Sequence, residues 1–562
     1  MGGTCSFPSI HLPGEPPVDG RLPVVGFCLV EEFCVRHSSW VSRRKLIAAG
    51  VVLAAVAGGL VVQSTGSSAQ ADETALQTEL NKLLNDTRYV GSQVELVVRD
   101  AGTGEVLYNR NGGSRLMPAS NTKLFTSAAA MGVLGPDFKF HTDVLATAPV
   151  RNGKLRGDLY LKGYGDPTTL EEDYVGLAKK LKTAGVTRVD GNLVADDSYF
   201  DRNRLGDGWS GDDESSYYSA QISALTLAPN KEYDTGTVIV ETLPGAAVGD
   251  AVKSTLVPGN GVLQVINTAT TSAAGSPTNA LVAEREHGKN IIRISGTYPL
   301  GGIKKTQWVT VWEPQLYAAD VFRRALAAEG IKVTGKIKDA TTPLASARVL
   351  ATDESMPLSQ ILTPFMKLSN NMHAEHLVKT MGAVKKSQPT WAAGLGVVNE
   401  YVKTKGVDTA TIRLSDGSGL SRKVNVTGDA ITNLLLSIQQ EPWFQTWYNA
   451  LPVAGNAERF VGGTLATRMA NTPAANNLRA KTGSLTGATA LGGFVTDKDG
   501  RKLVFSMMSN NYMISPRSVE DAVGVLLASW SEKAPPAAVA PSSKRSGAES
   551  TCATEIEWVK AC

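Results

Sequence analysis

The sequence predicts an α/β protein of the α+β kind, with helices around one antiparallel sheet that both chain ends build and a β-rich insertion between them. Three observations predict it: a helix and two strands at the front, two strands and a helix at the back, and short strands through most of the middle. Leu76, Leu80, Leu83 and Leu84 recur at helical spacing. Gln93 to Arg99 and Glu105 to Asn109 read as strands around the Gly-containing turn Asp100 to Gly104. Ser120 then opens a run of helix formers that reaches Met131. From about 138 to 343 short strands alternate with turns such as Pro149 to Gly153 and Pro258 to Gly261. Helical patterning returns at Leu316 to Glu329, Pro357 to Val402 and Thr427 to Ile438. Leu491 to Thr496, a turn at Asp497 to Gly500, Lys502 to Met508 and a helix over Arg517 to Trp530 close the order. The expected domains are therefore a discontinuous one, 72–137 with 344–532, and an insertion at 138–343 whose inner unit spans roughly 225–305.

At 562 residues and 42% hydrophobic, the chain is long enough for several buried cores. Its 56 basic and 53 acidic residues leave +3, scattered along the sequence, which argues against a nucleic-acid partner. The 55 Gly and 6% aromatics suggest a turn-rich enzyme or surface protein more than a coiled coil, and the lack of a repeat of 20 to 50 residues argues against a solenoid or propeller.

Arg43-Arg44-Lys45, the apolar stretch Leu46 to Val62 and Ala69-Gln70-Ala71 follow the order of an export signal, with cleavage leaving Asp72 to Cys562. A signal anchor that stays uncleaved is the alternative, and the only membrane contact expected. Ser42 to Ile47 also resembles a twin-arginine export motif. Residues 1–40 precede that signal, which predicts that translation begins near Val41. Residues 533–562 form a Pro/Ala/Ser-rich tail; its Cys552 and Cys562 either pair in a small disulfide loop or remain free thiols.

Three short motifs carry the chemistry. Ser120 and Lys123 lie three apart, hence on one helix face. A hydroxyl needs a base to become a nucleophile, and a desolvated lysine can serve as one. Ser369-Asn370-Asn371 offers a hydroxyl to relay a proton and an amide to hold a peptide group. Lys481-Thr482-Gly483-Ser484 offers a cation and a hydroxyl for a carboxylate, a glycine that lets a substrate backbone come close, and a following small-residue stretch suited to an edge strand. Each pattern alone is an ordinary cap or turn. Ser42 to Lys45 matches the first, and Ser509-Asn510-Asn511 matches the second at a strand end, where a structural role is expected.

In the order S-x-x-K, S-x-N, K-T-G the sequence resembles the penicillin-binding proteins and serine beta-lactamases. It is most similar to the class C low-molecular-mass penicillin-binding proteins of the penicillin-binding protein 4 type, D-alanyl-D-alanine carboxypeptidase/endopeptidases with two inserted domains. The 249 residues from Ser120 to Ser369 resemble that class, as do Gly163 to Pro167, Asp196 to Phe200, Tyr218 to Ala224, Asn370 to Glu375 and Asp416 to Ser421. The resemblance covers roughly Thr74 to Trp530. It implies a transpeptidase-like fold, an acyl-serine route on the D-Ala-D-Ala ends of peptidoglycan stem peptides, inhibition by beta-lactams, an exported enzyme and no cofactor or metal. Ser120 would be the nucleophile, Lys123 its base and Ser369 the relay to the leaving nitrogen. Asn371 would hold the acyl-side amide, Lys481 and Thr482 the carboxylate, and the N–H groups of Ser120 and Ser484 the oxyanion. Ser418, Leu420 and Arg422, with Tyr199 or Asp201, would line the site for the side-chain amine of the stem peptide.

Other chemistries lack their residues. No G-x-S-x-G occurs, and from Asp72 onward the histidines are His141, His287, His373 and His376. His373-Ala-Glu-His376 has neither zincin spacing. Gly163-Tyr-Gly165 lacks the third glycine of a dinucleotide loop. The remaining alternatives use the same fold: a beta-lactamase or esterase, or a non-catalytic wall scaffold. No E-x-x-L-N loop follows Ser369 to support the first, and retention of both Ser120 and Lys123 speaks against the second.

Overall fold

A computed structural model describes residues 74–340, 346–534, 536 and 539–541. The export signal with Ser42 to Lys45, and the tail cysteines Cys552 and Cys562, lie outside the described residues.

Both chain ends supply the central antiparallel sheet. Its order is Val106–Arg110, Gln93–Asp100, Lys502–Asn510, Ala488–Thr496 and Arg479–Leu485. Strand side chains alternate between faces, and the burial follows that period. Val94, Leu96, Val98, Leu503, Phe505 and Met507 join one core with Leu76, Leu80, Leu83 and Leu84 of helix Ala75–Leu84 and the apolar face of Arg517–Ser529. Val504, Met508, Ala490 and Phe494 point the other way, into a core with helices Thr122–Val133, Leu358–Lys367, Asn371–Lys386 and Gly428–Ser437. Asp100 closes the first hairpin by accepting from the N–H groups of Gly102 and Thr103 at 2.8 and 2.7 Å, as short acidic side chains do in turns.

The edge of this sheet differs from the sequence expectation. Lys481 to Ser484 are themselves in the edge strand Arg479–Leu485, and the small-residue stretch Ala488 to Gly493 is one strand further in. Gly487, at φ +71°, makes the tight hairpin between them, a conformation only glycine adopts without strain.

The insertion has its own core. A five-stranded sheet runs Ile337–Asp339, Leu193–Asp196, Leu159–Gly163, His141–Ala146 and Arg348–Glu354. A four-stranded one runs Lys332–Val333, Arg188–Val189, Lys154–Leu155 and Val150–Arg151. Arg348–Glu354 pairs with His141–Ala146, so this sheet takes in a strand that the expected boundary at 344 assigned to the other domain. The sequence reading also missed the helix Glu171–Thr183, whose first turn carries Glu171, Glu172 and Asp173, favourable charges at a helix N-terminus. Nested within, Thr237–Leu243 lies between Lys253–Val257 and Lys305–Thr310, and Ile291–Ser295 between Gln264–Asn267 and Val282–Arg285.

Candidate active site

Ser120 sits in the tight turn Ala119–Asn121, two residues before helix Thr122–Val133 begins. The turn precedes the regular helix that the sequence suggested, yet residues three apart still eclipse in such a turn. Lys123, fully buried on the first helical turn, reaches Ser120 Oγ at 2.8 Å, Asn371 Oδ1 at 2.6 Å and the Ser418 carbonyl at 2.9 Å. Asn371 Oδ1 and the Ser418 oxygen can only accept, whereas a hydroxyl can also donate. With its two hydrogens on those oxygens, a neutral amine turns its lone pair to the Ser120 hydroxyl.

Backbone strain accumulates here. Ala119 at φ +45° and Ser369 at φ +59° both occupy the left-handed region, which costs a residue with a side chain about 1 kcal/mol or more and clusters at active sites. Two glycines press on the same turn. A Cβ on Gly419, at φ +81°, would stand 1.8 Å from the Ala119 carbonyl oxygen, and one on Gly483 would stand 2.4 Å from that of Pro118. The room at Gly483 is thus taken by the turn bearing Ser120, not by a substrate backbone as the sequence suggested. Asn510 holds the approach to the turn, accepting from Met117 N–H at 2.7 Å and donating to its carbonyl at 3.1 Å.

Opposite the turn, Lys481 Nζ donates to Ser369 Oγ at 2.8 Å and to the Thr482 carbonyl at 2.8 Å. Thr482 Oγ1 lies 2.8 Å from Thr464 Oγ1, a partner that no sequence motif announced. On the outer side of the edge strand, Ala480 N–H is taken by Pro452 O at 3.1 Å. Strand amides repeat their direction every second residue, so Thr482 and Ser484 turn their N–H groups to the same outer edge, where Ser484 faces the cleft.

Ser120, Ser369, Asn371, Leu420 and Ser484 line this cleft, and Tyr217, Tyr218, Tyr233 and Asp234 of the insertion form a wall of it. Asn371 also donates from Nδ2 to the Tyr218 carbonyl at 2.9 Å, tying the wall to Lys123. No sequence motif gives these four insertion residues a role, and the Tyr218 stretch enters only through its resemblance.

Several expected lining residues lie elsewhere. Ser418 is buried behind Lys123, which its carbonyl contacts. Arg422 is exposed and donates to the Thr486 carbonyl at 3.1 Å. Tyr199 packs on Tyr164 and Phe200. Asp201 pairs with the buried Lys379, whose ammonium stands 4.0 Å from the Trp391 ring centre. Packing of the insertion against helix Asn371–Lys386 consumes both of these residues, and neither lines the cleft.

Two buried carboxyls position the loop at 416–421. Glu375 accepts from the N–H groups of Gly417 and Ser418 at 2.9 and 2.8 Å and from Trp391 Nε1 at 2.7 Å. Asp416 accepts from Gly419 and Ser421 N–H at 2.8 and 2.7 Å and from Trp209 Nε1 at 2.9 Å. Burial first, then the charge of Asp416, pushes the Glu375 carboxyl up from its ordinary range. The loop they fix delivers the Ser418 carbonyl to Lys123. His373 and His376 are buried on the same helix, and no metal-holding group of three or more His, Cys, Asp or Glu occurs among the described residues.

Comparison with known proteins points to one family. The profile of the D-Ala-D-Ala carboxypeptidase 3 (S13) family matches residues 76–530. A D-alanyl-D-alanine carboxypeptidase of Actinomadura sp. (strain R39) is 44% identical over 494 residues, 87% of this chain and 90% of that protein. The D-alanyl-D-alanine carboxypeptidase DacB of Haemophilus influenzae is 28% identical, covering 75% and 86%. The crystal structure of penicillin binding protein 4 from Haemophilus influenzae superposes with a TM-score of 0.68 at 26% identity, over 79% of this chain and 94% of that one. The same protein complexed with a beta-lactam gives 0.64 at 25% identity, over 80% and 97%.

Proposed function

Since the chain belongs to the D-Ala-D-Ala carboxypeptidase 3 (S13) family and is a serine D-alanyl-D-alanine carboxypeptidase of the penicillin-binding protein 4 type, we propose how its own residues divide the work. Ser120 attacks the carbonyl of the D-Ala-D-Ala bond while Lys123 takes the hydroxyl proton. The observation that carries this reading is the Lys123 amine 2.8 Å from Ser120 Oγ, with two carbonyl oxygens to receive its hydrogens. The N–H groups of Ser120 and Ser484 receive the charge that develops on the attacked oxygen. Donors of that kind are worth about 3 kcal/mol each.

Lys481, with Thr482 beside it, binds the terminal carboxylate. A cation and a hydroxyl suit a carboxylate, and the Thr482–Thr464 contact supports an oriented hydroxyl. Ser369, 2.8 Å from Lys481 Nζ, passes its hydroxyl proton to the departing D-alanine nitrogen and regains one from the proton that Lys123 took, and water then releases the acyl group. Asn371 holds Lys123 and, from the cleft wall, the acyl-side amide. Leu420 and the tyrosines of the insertion contact the stem peptide on that side. Beta-lactams acylate the same serine, a reading supported by the beta-lactam complex of the Haemophilus influenzae protein. The enzyme works outside the cytoplasmic membrane, a reading supported by the charged, apolar and Ala-x-Ala order of residues 43–71. No helix among the described residues is long and apolar enough to cross a membrane.

Intact-protein mass spectrometry with a penicillin, following wild type beside Ser120→Ala over time, tests the assignment. A stable one-to-one adduct on wild type and none on the variant is the expected result. An adduct that clears within seconds would make the enzyme a beta-lactamase instead, and no adduct would remove the catalytic reading.

A further inference from the structure

In the four-stranded sheet of the insertion, Arg151 pairs with Lys154, Lys154 with Arg188, and Arg188 with Lys332. Directly paired residues share a face, and neighbouring strands lie about 4.8 Å apart, so four cations form one lateral row about 14 Å long. Their chain neighbours Val150, Leu155, Val189 and Val333 point the other way, into or against the inserted core. Arg151, Lys154 and Lys332 are exposed and Arg188 is half-buried.

Like charges directly opposite one another destabilise a sheet, and the row has little internal relief. Asp190 pairs with Arg188 at 2.5 Å, and Arg151, Lys154 and Lys332 make no ion pair among the described residues. Through its bond to Arg188 first, and then the charges of Lys154 and Arg156, the Asp190 carboxyl is held below its usual range. One acid thus stands among five cations. Beyond Lys332 a surface groove continues past Arg323 and Arg324, whose guanidinium groups are about half exposed and hold Asp320 between them.

We propose that this row, extended by the groove beyond Lys332, binds a linear phosphodiester polymer of sugar or polyol units. The charge is arranged along a line, which suits a chain better than a plane. The four strands present no exposed large apolar side chain, as insertion among lipid tails would require. They carry no aromatic residue, on which the bases of a single-stranded nucleic acid would stack. The row lies on a different sheet from the Ser120 cleft and holds the enzyme to a polymer without entering its chemistry.

Labelled inorganic polyphosphate is the probe, titrated with the full-length protein across 50 to 200 mM salt and read by fluorescence anisotropy. Four phosphate contacts give a slope of log K against log salt of about −3, at ~0.7 per contact for a single-stranded polyanion. Arg151→Gln with Lys154→Gln is expected to weaken binding at least about tenfold and to bring the slope to about −1.4, while penicillin acylation keeps its wild-type rate. Lys332→Gln, on the far edge strand, is expected to weaken binding and lower the slope by about 0.7. Equal binding by wild type and variants, an unchanged slope, or binding to phosphatidylglycerol vesicles with none to polyphosphate would overturn the proposal.

Discussion

Adding one methyl group at Gly483 tests how the nucleophile is held. A Cβ there would stand 2.4 Å from the Pro118 carbonyl oxygen and 3.2 Å from both Asn121 N and the Ala490 Cβ, where ordinary contact begins near 3.4 Å. Gly483→Ala therefore forces the turn and the edge strand about 1 Å apart. The turn has little freedom to retreat, because Asn510 grips Met117 on one side and Gly419 abuts Ala119 on another. The strand is paired to another strand of the sheet on one side only and takes part of the motion. Either displacement separates Ser120 Oγ from the Ser484 N–H.

A misplacement of 1 Å between reacting groups costs about 10²-fold in rate, whereas overpacking costs about 1–3 kcal/mol of stability. The variant is accordingly expected to fold and melt cooperatively a few degrees below wild type, with acylation by a fluorescent penicillin, followed by stopped flow, slowed about 100-fold. An acylation rate within about threefold of wild type would refute the reasoning, because the turn would then be compliant and its position not set by the glycine.

Asp166, a buried residue, accepts from Thr168 N–H, Thr168 Oγ1 and Thr169 Oγ1, and burial pushes its carboxyl up to about 6 from 3.8. The folded state then holds the proton more tightly than the unfolded chain, so this stability is complete below pH 3.8 and is lost as pH rises to about 6. Against Asp166→Asn, wild type is expected to lose about 3 kcal/mol across that window in urea titrations, and parallel pH profiles would contradict the assignment. Asp201→Ala strands the buried Lys379 ammonium and is expected to lower stability by about 3 kcal/mol without changing KM for a stem peptide. A raised KM at unchanged stability would return Asp201 to the substrate site.

Much of the catalytic domain was legible because its signals are local. The period of two in Gln93–Asp100 and Lys502–Asn510, and the leucine spacing of Ala75–Leu84, follow from which face each residue presents. The Ser120 and Lys123 pair is local in the same sense, since one turn of backbone brings the two together. The missed helix Glu171–Thr183 is local in the same way, since its buried Tyr174, Leu177, Ala178 and Leu181 fall at i, i+3, i+4 and i+7; the short strands and turns on both sides of it hid the signal.

By itself the sequence determined the sheet-and-helix class, the two chain ends in one domain and the three motifs. Tertiary structure alone decided that Gly483 serves the turn and not the substrate, that Thr464 meets Thr482, and that tyrosines of the insertion wall the cleft. It also withdrew Tyr199 and Asp201 from the site. Charges that look scattered along the chain, from Arg151 to Lys332, become a single row once strands pair. The physical reason is common to all of these. Local backbone geometry sets which way a side chain points, but register and packing set what it meets, and these follow from burial summed over distant segments.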